Sequence, residues 1–157
     1  MKNQKIRDYA VWIIFTEIIG IIAGLLTSRS AEIYSQTVLK PPLSPPSVLF
    51  PIVWTVLYAL MGIGIARVRA KSTGKESDFS LSIYLLQLFF NFAWSFIFFS
   101  FAAFGFAFFW LIALWILILI MTVCFGKADR LSALIQIPYL LWVLFAGYLN
   151  LGVWVLN

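Results

Sequence analysis

The chain of 157 residues contains no histidine. This absence excludes a Ser-His-Asp triad and any zinc or haem-iron site that depends on histidine ligands. The single cysteine, Cys124, cannot form an internal disulfide or a CxxC site, and its apolar surroundings (ILILIMTVCFG) indicate a small buried residue. Charged residues make up only 11% of the chain, whereas soluble domains carry roughly 25%. These absences argue against a soluble protein.

Hydrophobic residues make up 63% of the chain and are gathered into long runs. A helix that crosses a bilayer needs roughly 20 apolar residues, and none of the runs alternates like a strand of a β-barrel. We therefore predict an all-α membrane protein, a five transmembrane helix bundle that forms a single domain over residues 1–157. The predicted spans are about 9–28, 47–68, 81–100, 104–126 and 132–156.

The positively charged residues are distributed unevenly between the connections of these spans. Because cytoplasmic connections are enriched in Lys and Arg, we predict a cytoplasmic N-terminus, with the C-terminus and the first connection on the outer face. This topology explains the net charge of +5 without a nucleic-acid partner. The predicted cytoplasmic side carries Lys2, Lys5, Arg7, Arg67, Arg69, Lys71, Lys75, Lys127 and Arg130, and the outer side carries only Arg29 and Lys40.

The longest predicted connection runs from about Ser28 to Pro46 and ends in the proline-rich sequence LKPPLSPPSVLFP. Proline favours an extended, stiff backbone that loses little further entropy when it packs. The segment is either a stiff linker or a preformed lid over the outer end of the bundle, and its length favours the lid. The second connection, RVRAKSTGKESDFS, is polar and predicts a solvated cytoplasmic loop.

Aromatic and polar residues recur at helical spacing in three of the spans. Polar groups are costly inside a membrane, so each indicates either hydrogen bonds between helices or a binding function. Together with the proline-rich connection, these residues indicate an aromatic cage with a few amide groups, which suits a planar apolar ligand. They are Trp54 and Tyr58 in the second span, Gln87, Asn91 and Trp94 in the third, and Trp142, Ala146 and Leu149 in the fifth.

Three other features of the spans have more than one explanation. Glu17 is the only acid inside a predicted span, and it either bonds to Thr16, water or a neighbouring helix, stays protonated, or takes part in a charge relay. Gly20 and Gly24 form a GxxxG pattern, which permits close contact within the bundle or across a homodimer, and we interpret it as packing. Pro138 predicts a kink in the fifth span.

The chain resembles the TspO/MBR family (the tryptophan-rich sensory protein, translocator protein or peripheral benzodiazepine receptor family) in three ordered stretches. These are KPPLSPPSVLFPIVWTVLYALMGIG at 40–64, QLFFNFAWSFIFF at 87–99 and PYLLWVLFAGYLN at 138–150. The resemblance implies a five-helix bundle that binds porphyrins and isoquinoline- or benzodiazepine-like ligands beneath the first long connection.

The resemblance also implies roles for individual residues. The eight cage residues named above would line the ligand pocket, and Pro45 and Pro46 would belong to the segment that closes it. The ligand would be protoporphyrin IX, or haem recognised by its shape, because no histidine is present to bind its iron. We expect no metal and no covalent cofactor, and membrane lipid as the other partner.

The chain departs from the family pattern at two places. Relatives with a cholesterol-recognition pattern have a basic residue after a C-terminal tyrosine, whereas Tyr148 is followed only by LNLGVWVLN. The sequence therefore does not support sterol binding. Many relatives carry an acid early in the fourth span, where this chain has Trp110.

Three functions are compatible with these features, and we rank them in this order. The first is a membrane receptor or carrier that binds porphyrins. The second, which the family resemblance suggests, is light-dependent oxidative degradation of bound porphyrin. In it Trp54 and Trp142 would act as the catalytic residues, either by supplying electrons or by reacting with a photogenerated oxidant, since the sequence shows no conventional acid–base pair. The third is a stress-response sensor or scaffold that contacts a partner through the basic segment from Arg67 to Lys75.

Overall fold

The computed structural model describes the backbone of residues 2–157 and the side chains of residues 6–157. Within this part of the chain all the regular secondary structure is helical. The helices are α1 (Lys2–Thr37), α2 (Leu49–Lys71), α3 (Gly74–Ser95), α4 (Phe104–Ala128), α5 (Arg130–Leu134) and α6 (Ile137–Leu156), and a π-helical turn (Phe96–Ser100) continues α3.

Among the described residues, five helical segments are long and apolar enough to cross a membrane, and they confirm the predicted all-α membrane protein with five spans. The protein is therefore an integral, multi-pass membrane protein. The segments are Ile6–Thr37, Leu49–Lys71, Gly74–Ser100, Phe104–Ala128 and Arg130–Leu156, where the last one combines α5 and α6.

Helix α1 continues well beyond the predicted end of the first span. Its 36 residues give a length of about 54 Å, whereas the apolar core of a bilayer is about 30 Å thick. The hydroxyl groups of Thr27 and Ser28 donate to the carbonyls of Ala23 and Leu25, so these polar side chains are accommodated on the helix. The prediction of a connection that starts at Ser28 is therefore wrong, and the connection is the shorter segment 38–48.

The second connection is mostly exposed, as its polarity predicted, but it is largely helical instead of a loop. Helix α2 ends at Lys71 and α3 begins at Gly74, which leaves only Ser72 and Thr73 between them. Gly74 has φ +67°, a conformation that glycine adopts readily at a tight turn. The Arg69 guanidinium then donates to both Ser77 (3.0 Å) and Asp78 (3.1 Å) across the turn.

The fifth span is interrupted instead of being kinked in its interior. Residues Ile135 and Gln136 separate α5 from α6, and Pro138 lies in the first turn of α6. Proline is well accommodated there because the first backbone N–H groups of a helix have no partner within the helix. The predicted kink at Pro138 is therefore a break in the helix just before it, at Ile135 and Gln136.

The connections define two ends of the bundle. The basic end holds the start of α1, the turn at Ser72 and Thr73, and Asp129 between α4 and α5. The loop end holds residues 38–48, residues 101–103 and the C-terminal Asn157. The fully buried core lies between α2, α3, α4 and α6 and includes Met61, Ile65, Val68, Tyr84, Leu114, Ile118, Met121, Phe125, Tyr139 and Val143.

Helix α1 lies at the edge of this core and packs mainly against α2. Among its described side chains only Thr16, Ala23 and Thr27 are buried. The closest approach is at Gly62 of α2, where a Cβ atom would lie 2.6 Å from the Cα atom of Ile13. Only glycine permits this backbone contact.

Asp129 closes the basic end of the bundle. Its carboxylate accepts from Arg67 Nε at 2.6 Å and from Lys71 Nζ at 2.5 Å, which ties the end of α2 to the corner between α4 and α5. The backbone N–H and hydroxyl group of Ser132 also donate to it, so Asp129 caps α5. The Arg67 guanidinium, followed by the Lys71 ammonium, holds the pKa of Asp129 well below its usual range.

Candidate functional site

A cavity of about 570 Å³ lies between α1 and the other helices in the half of the bundle toward the loop end. Cavities of roughly 300–1,000 Å³ are typical of sites for small organic ligands. The wall on the α1 side includes a stripe of small and polar residues at helical spacing, Glu17, Gly20, Gly24, Thr27 and Ala31, flanked by larger side chains such as Ile21, Leu25 and Tyr34. The facing wall comes from α2, α3 with its π-helical turn, and α6.

Aromatic rings form most of the facing wall. In α2, the rings of Trp54 and Tyr58 lie one helical turn apart, with 5.5 Å between their centroids. Trp94 stacks on Phe98 with a centroid distance of 5.1 Å and an interplanar angle of 24°. Trp142 completes this aromatic wall from α6.

The π-helical turn explains why two further aromatic residues reach the cavity. A π-helical turn widens the helix by one residue and shifts the positions of the side chains that follow. The turn Phe96–Ser100 brings both Phe98 and Phe99 to the cavity, beside Trp94. Their ring centroids lie 5.1 Å and 6.1 Å from that of Trp94, so the three rings form one surface.

The proline-rich connection forms the roof of the cavity. Lys40, Ser44, Pro45 and Ser47 line the cavity from this connection. Two contacts fix the connection to α6. The Asn157 side chain exchanges two hydrogen bonds of 3.0 Å with the backbone of Leu39, and the Tyr148 hydroxyl donates to the carbonyl of Pro42 at 2.8 Å.

Behind the aromatic wall, a chain of hydrogen bonds joins α2, α3 and α6. The Tyr58 hydroxyl donates to Asn91 Oδ1 (2.7 Å), and Asn91 Nδ2 donates to the Tyr139 hydroxyl (2.8 Å). Tyr139 donates to Gln87 Oε1 (2.9 Å), and Gln87 Nε2 donates to the sulfur of Met61 (3.5 Å). The chain satisfies these buried polar groups and fixes the orientation of the Tyr58 ring at the cavity.

Two tryptophan N–H groups at the cavity differ in their hydrogen bonding. Trp94 Nε1 donates to Asn150 Oδ1 at 3.3 Å, and Asn150 Nδ2 donates to the carbonyl of Phe104 at 2.8 Å. Trp142 Nε1 is buried but has no acceptor among the described residues. A buried donor without an acceptor is unfavourable, so a ligand with an acceptor group at this position would satisfy it.

Only two charged side chains line the cavity among residues 6–157, and they lie far apart. Glu17 is partly buried in the middle of α1, whereas Lys40 lies in the roof. The ammonium group of Lys40 donates to the carbonyl of Ser35 at 2.9 Å and lies 5.6 Å from the centroid of the Tyr34 ring. No group of three or more Cys, Asp or Glu side chains in the described residues is arranged to hold a metal ion.

The structure brings most of the predicted site residues together around this cavity. Gln87 and Pro46 do not line it, because Gln87 lies behind Tyr139 and the roof reaches the cavity through Pro45 and Ser47. The residues that do line it are Pro45, Trp54, Tyr58, Asn91, Trp94, Trp142, Ala146 and Leu149. Their role in ligand binding remains a prediction.

Neither the α1 wall nor Phe98 and Phe99 is among the site residues predicted from the sequence. Glu17 and the pair Gly20 and Gly24 have separate explanations in the sequence analysis, but they belong to one series, because their spacing of three and four residues continues through Thr27 and Ala31. This regular stripe of small and polar residues in an otherwise bulky apolar span is the signal that indicates a helix face beside open space. Phe98 and Phe99 required knowledge of the π-helical turn.

Comparison with known proteins gives consistent matches along nearly the whole chain. The TspO/MBR family pattern matches residues 12–155. The tryptophan-rich protein TspO of Chlorobaculum tepidum is 33% identical over 156 residues, which is 99% of each chain. Protein CrtK of Rhodobacter capsulatus is 35% identical over 119 residues, covering 75% of this chain and 74% of its own. The translocator protein of Bos taurus is 32% identical over 137 residues, covering 86% and 81%.

Proposed function

The chain belongs to the TspO/MBR family, and on this premise we propose that it is a membrane receptor that binds a planar, largely apolar ligand of the porphyrin class in the cavity at the loop end. The observation that carries the proposal is the set of three tryptophans, Trp54, Trp94 and Trp142, around a cavity of about 570 Å³. A porphyrin is a wide aromatic ring system, so stacking on these rings and its removal from water would supply most of the affinity.

The geometry of the cavity also supports an acceptor group on the ligand. The Trp142 N–H is buried without an acceptor among the described residues, and a carboxylate or carbonyl oxygen of the ligand would complete its hydrogen bonding. Lys40 in the roof would attract an anionic substituent at the opposite, solvent-facing edge of the ligand. The propionate side chains of protoporphyrin IX lie on one edge of the macrocycle, so they would supply oxygen acceptors at one of these two positions.

We further propose that the basic end faces the cytoplasm and the loop end faces the outside. The basis is the excess of Lys and Arg at the basic end, which is the usual determinant of orientation. The ligand would then enter from the outer leaflet or the outer aqueous phase. Labelling of a thiol introduced into the roof, with a reagent that cannot cross the membrane of intact cells, tests this orientation.

The binding proposal is tested by titrating purified protein with protoporphyrin IX and following the absorption band of the porphyrin. This signal does not depend on the number of tryptophans in the protein. The variant Trp54→Ala with Trp142→Ala should bind at least about tenfold more weakly, since each large ring contributes on the order of 1 kcal/mol or more by stacking. Unchanged affinity would place the ligand elsewhere.

Trp154→Ala is the matched control for this experiment. Trp154 lies in α6 like Trp142, but it does not line the cavity and packs against Phe108 and Phe109 on the outside of the bundle. Its removal should leave protoporphyrin affinity within about twofold of the unmodified protein. An equal loss in both variants would mean that the binding change reflects general destabilisation and would contradict the assignment of the cavity.

Light-dependent oxidative degradation of the bound porphyrin is a second candidate function. The observation that favours it is the position of Trp54, whose ring centroid lies 5.5 Å from that of Tyr58 and 6.1 Å from that of Tyr139. The excited porphyrin would take an electron from Trp54 and pass it to dissolved dioxygen, which becomes superoxide. The oxidised Trp54, which can exchange its electron deficit with these tyrosines, would then recover an electron from the ground-state porphyrin, and superoxide would add to the resulting porphyrin radical cation and open the ring. Illumination of the complex in air should then consume protoporphyrin faster than in the variant Trp54→Phe with Trp142→Phe.

A scaffold function through the basic segment has less support. Arg67 and Lys71 both pair with Asp129, and Arg69 pairs with Asp78. Three of the four positive charges in the segment from Arg67 to Lys75 are thus engaged within the chain itself. This arrangement favours a structural role for the segment.

A further inference from the structure

We infer that Glu17 gives the cavity a second ligand class beside porphyrins, namely planar aromatic ligands that carry a protonated nitrogen. This inference rests on the proposed function, because it concerns the ligand class of the same cavity. It adds a specificity-determining residue on α1, the helix from which no binding residue was expected.

Glu17 occupies a deep position in the cavity wall. It lies 20 residues before the end of α1 at Thr37, a distance of about 30 Å along the helix axis. Its side chain is partly buried and lines the cavity. On the same face, the Tyr58 ring packs directly against Gly20, whereas Gly24 has no atom within 4 Å of the position that a Cβ would occupy, so the open part of the cavity begins two helical turns beyond Glu17.

No cation among the described residues neutralises this carboxylate. The ion pairs of that part of the chain involve only Asp78 and Asp129, both near the basic end. Lys40 is the other charged residue of the cavity wall, but it is held at Ser35. Ser35 lies 18 residues beyond Glu17 on α1, or about 27 Å.

The neighbouring polar groups of the wall are engaged with one another. Tyr58 donates to Asn91, and Asn91 donates to Tyr139. Trp94 donates to Asn150. The amide and phenol groups nearest the centre of the bundle therefore complete their own hydrogen bonds, while the carboxylate of Glu17 has no side-chain partner within residues 6–157.

A ligand with a charged N–H group would supply the missing partner. A carboxylate that has the backbone N–H of Ala59 beside it but no cationic partner is costly at this depth in a membrane protein. A hydrogen bond in which both groups are charged is stronger than a neutral one, and the low polarity of the aromatic wall strengthens it further. A neutral ligand of the same shape would gain the stacking but not this bond.

The test compares two probes in the purified protein and in Glu17→Gln. The first probe is a phenyl-substituted tetrahydroisoquinoline, whose secondary amine is protonated at neutral pH, and the second is its neutral N-formyl amide. Quenching of the tryptophan fluorescence reports binding of each. We expect Glu17→Gln to weaken binding of the amine by about tenfold or more, the size of one charge-assisted hydrogen bond, and to change binding of the amide by less than about twofold.

Glu32→Gln is the matched control, because it removes the same charge from the same helix at an exposed position outside the cavity. It should change neither affinity. The inference is overturned if the amine loses no more affinity than the amide in Glu17→Gln, or if Glu32→Gln weakens the amine equally. The proposed function fails separately, if protoporphyrin IX binding is unaffected by the variant Trp54→Ala with Trp142→Ala. Each failure is therefore recognisable by its own measurement.

Discussion

The two ends of the bundle are built from the same helices but are packed in opposite ways. Toward the basic end, Gly62 lets α2 contact the backbone of α1 at Ile13, and Asp129 joins α2 to the corner of α4 and α5. Toward the loop end, α1 contacts the other helices only through individual side chains, with the Tyr58 ring against Gly20 and the Tyr34 ring centroid 5.2 Å from that of Phe98. Beside Gly24 the space is open, and a cavity of about 570 Å³ separates α1 from the aromatic wall.

This difference shows how a membrane protein can hold a cavity open without losing its fold. Lipid chains are as apolar as the helices, so helices in a membrane associate through close packing and polar bonds more than through the hydrophobic effect. Here those interactions are concentrated at the basic end and in the chain of hydrogen bonds from Tyr58 to Met61. The loop end is then free to present its rings and Glu17 to a ligand.

Substitution of Gly62, where α2 contacts α1, should destabilise the protein more than a substitution beside the cavity. In Gly62→Ala the new Cβ meets the backbone of Ile13, which cannot move without separating α1 from α2. We expect the free energy of unfolding in detergent to fall by about 2–3 kcal/mol, which thermal melting of the purified protein would show.

Gly24→Ala is the matched substitution in the open region. A Cβ there meets nothing within 4 Å, and alanine favours the helix more than glycine does. The melting temperature should therefore stay the same or rise slightly. Equal destabilisation by both substitutions would remove the contrast between the two regions.

Asp129→Asn should have the next largest effect. The change removes the negative charge that Arg67 and Lys71 share, and it weakens the cap of α5. Because the Lys71 side chain is half exposed, water and salt screen part of this interaction. We expect a loss of about 1–2 kcal/mol in the free energy of unfolding.

The exposed ion pair of the neighbouring turn provides the control for Asp129. The Asp78 side chain is 73% exposed although it pairs with Arg69, so Asp78→Asn should cost less than about 0.5 kcal/mol. A loss at Asp78 as large as that at Asp129 would contradict the assignment of Asp129 as the residue that closes the basic end.

Acidification should lower the stability of the folded protein, by less than the Gly62→Ala or Asp129→Asn substitution. Because its pKa is held below the usual range in the folded protein, Asp129 contributes stability that is fully present above the ordinary carboxyl pKa of about 4. That contribution is lost as the pH falls through the folded-state value. The melting temperature should therefore drop by a few degrees in acid, and the drop should be smaller in Asp129→Asn.

The sequence was sufficient to predict the spans and most of the α2, α3 and α6 side of the cavity. Trp54 and Tyr58 share a face because they are four residues apart, and Trp142 and Ala146 do so for the same reason. The same spacing placed Gln87 with Asn91, but in the structure Tyr139 is hydrogen-bonded to both of them and Gln87 lies outside the cavity wall. Helical spacing identifies a shared face and does not show which neighbour covers it.

The end of α1 and the turn between α2 and α3 could not be predicted from the spacing of residues along the helices. The end of α1 at Thr37 lies beyond the apolar run, in a segment where hydroxyl groups bond back to the helix. The turn between Lys71 and Gly74 is held by Arg69 and its partners on α3. Both features depend on local hydrogen bonds between polar residues, whereas the prediction relied on hydropathy alone.

The central claim is that the ligand occupies the cavity between α1 and the aromatic wall. It is tested most directly by measuring how fast a small maleimide modifies the thiol introduced by Ala146→Cys, with Cys124 as the internal reference. Ala146 lines the cavity, whereas Cys124 does not. With protoporphyrin IX at about ten times its dissociation constant, modification at position 146 should slow about tenfold and modification of Cys124 should not change. Equal rates at position 146 with and without protoporphyrin IX would contradict the claim.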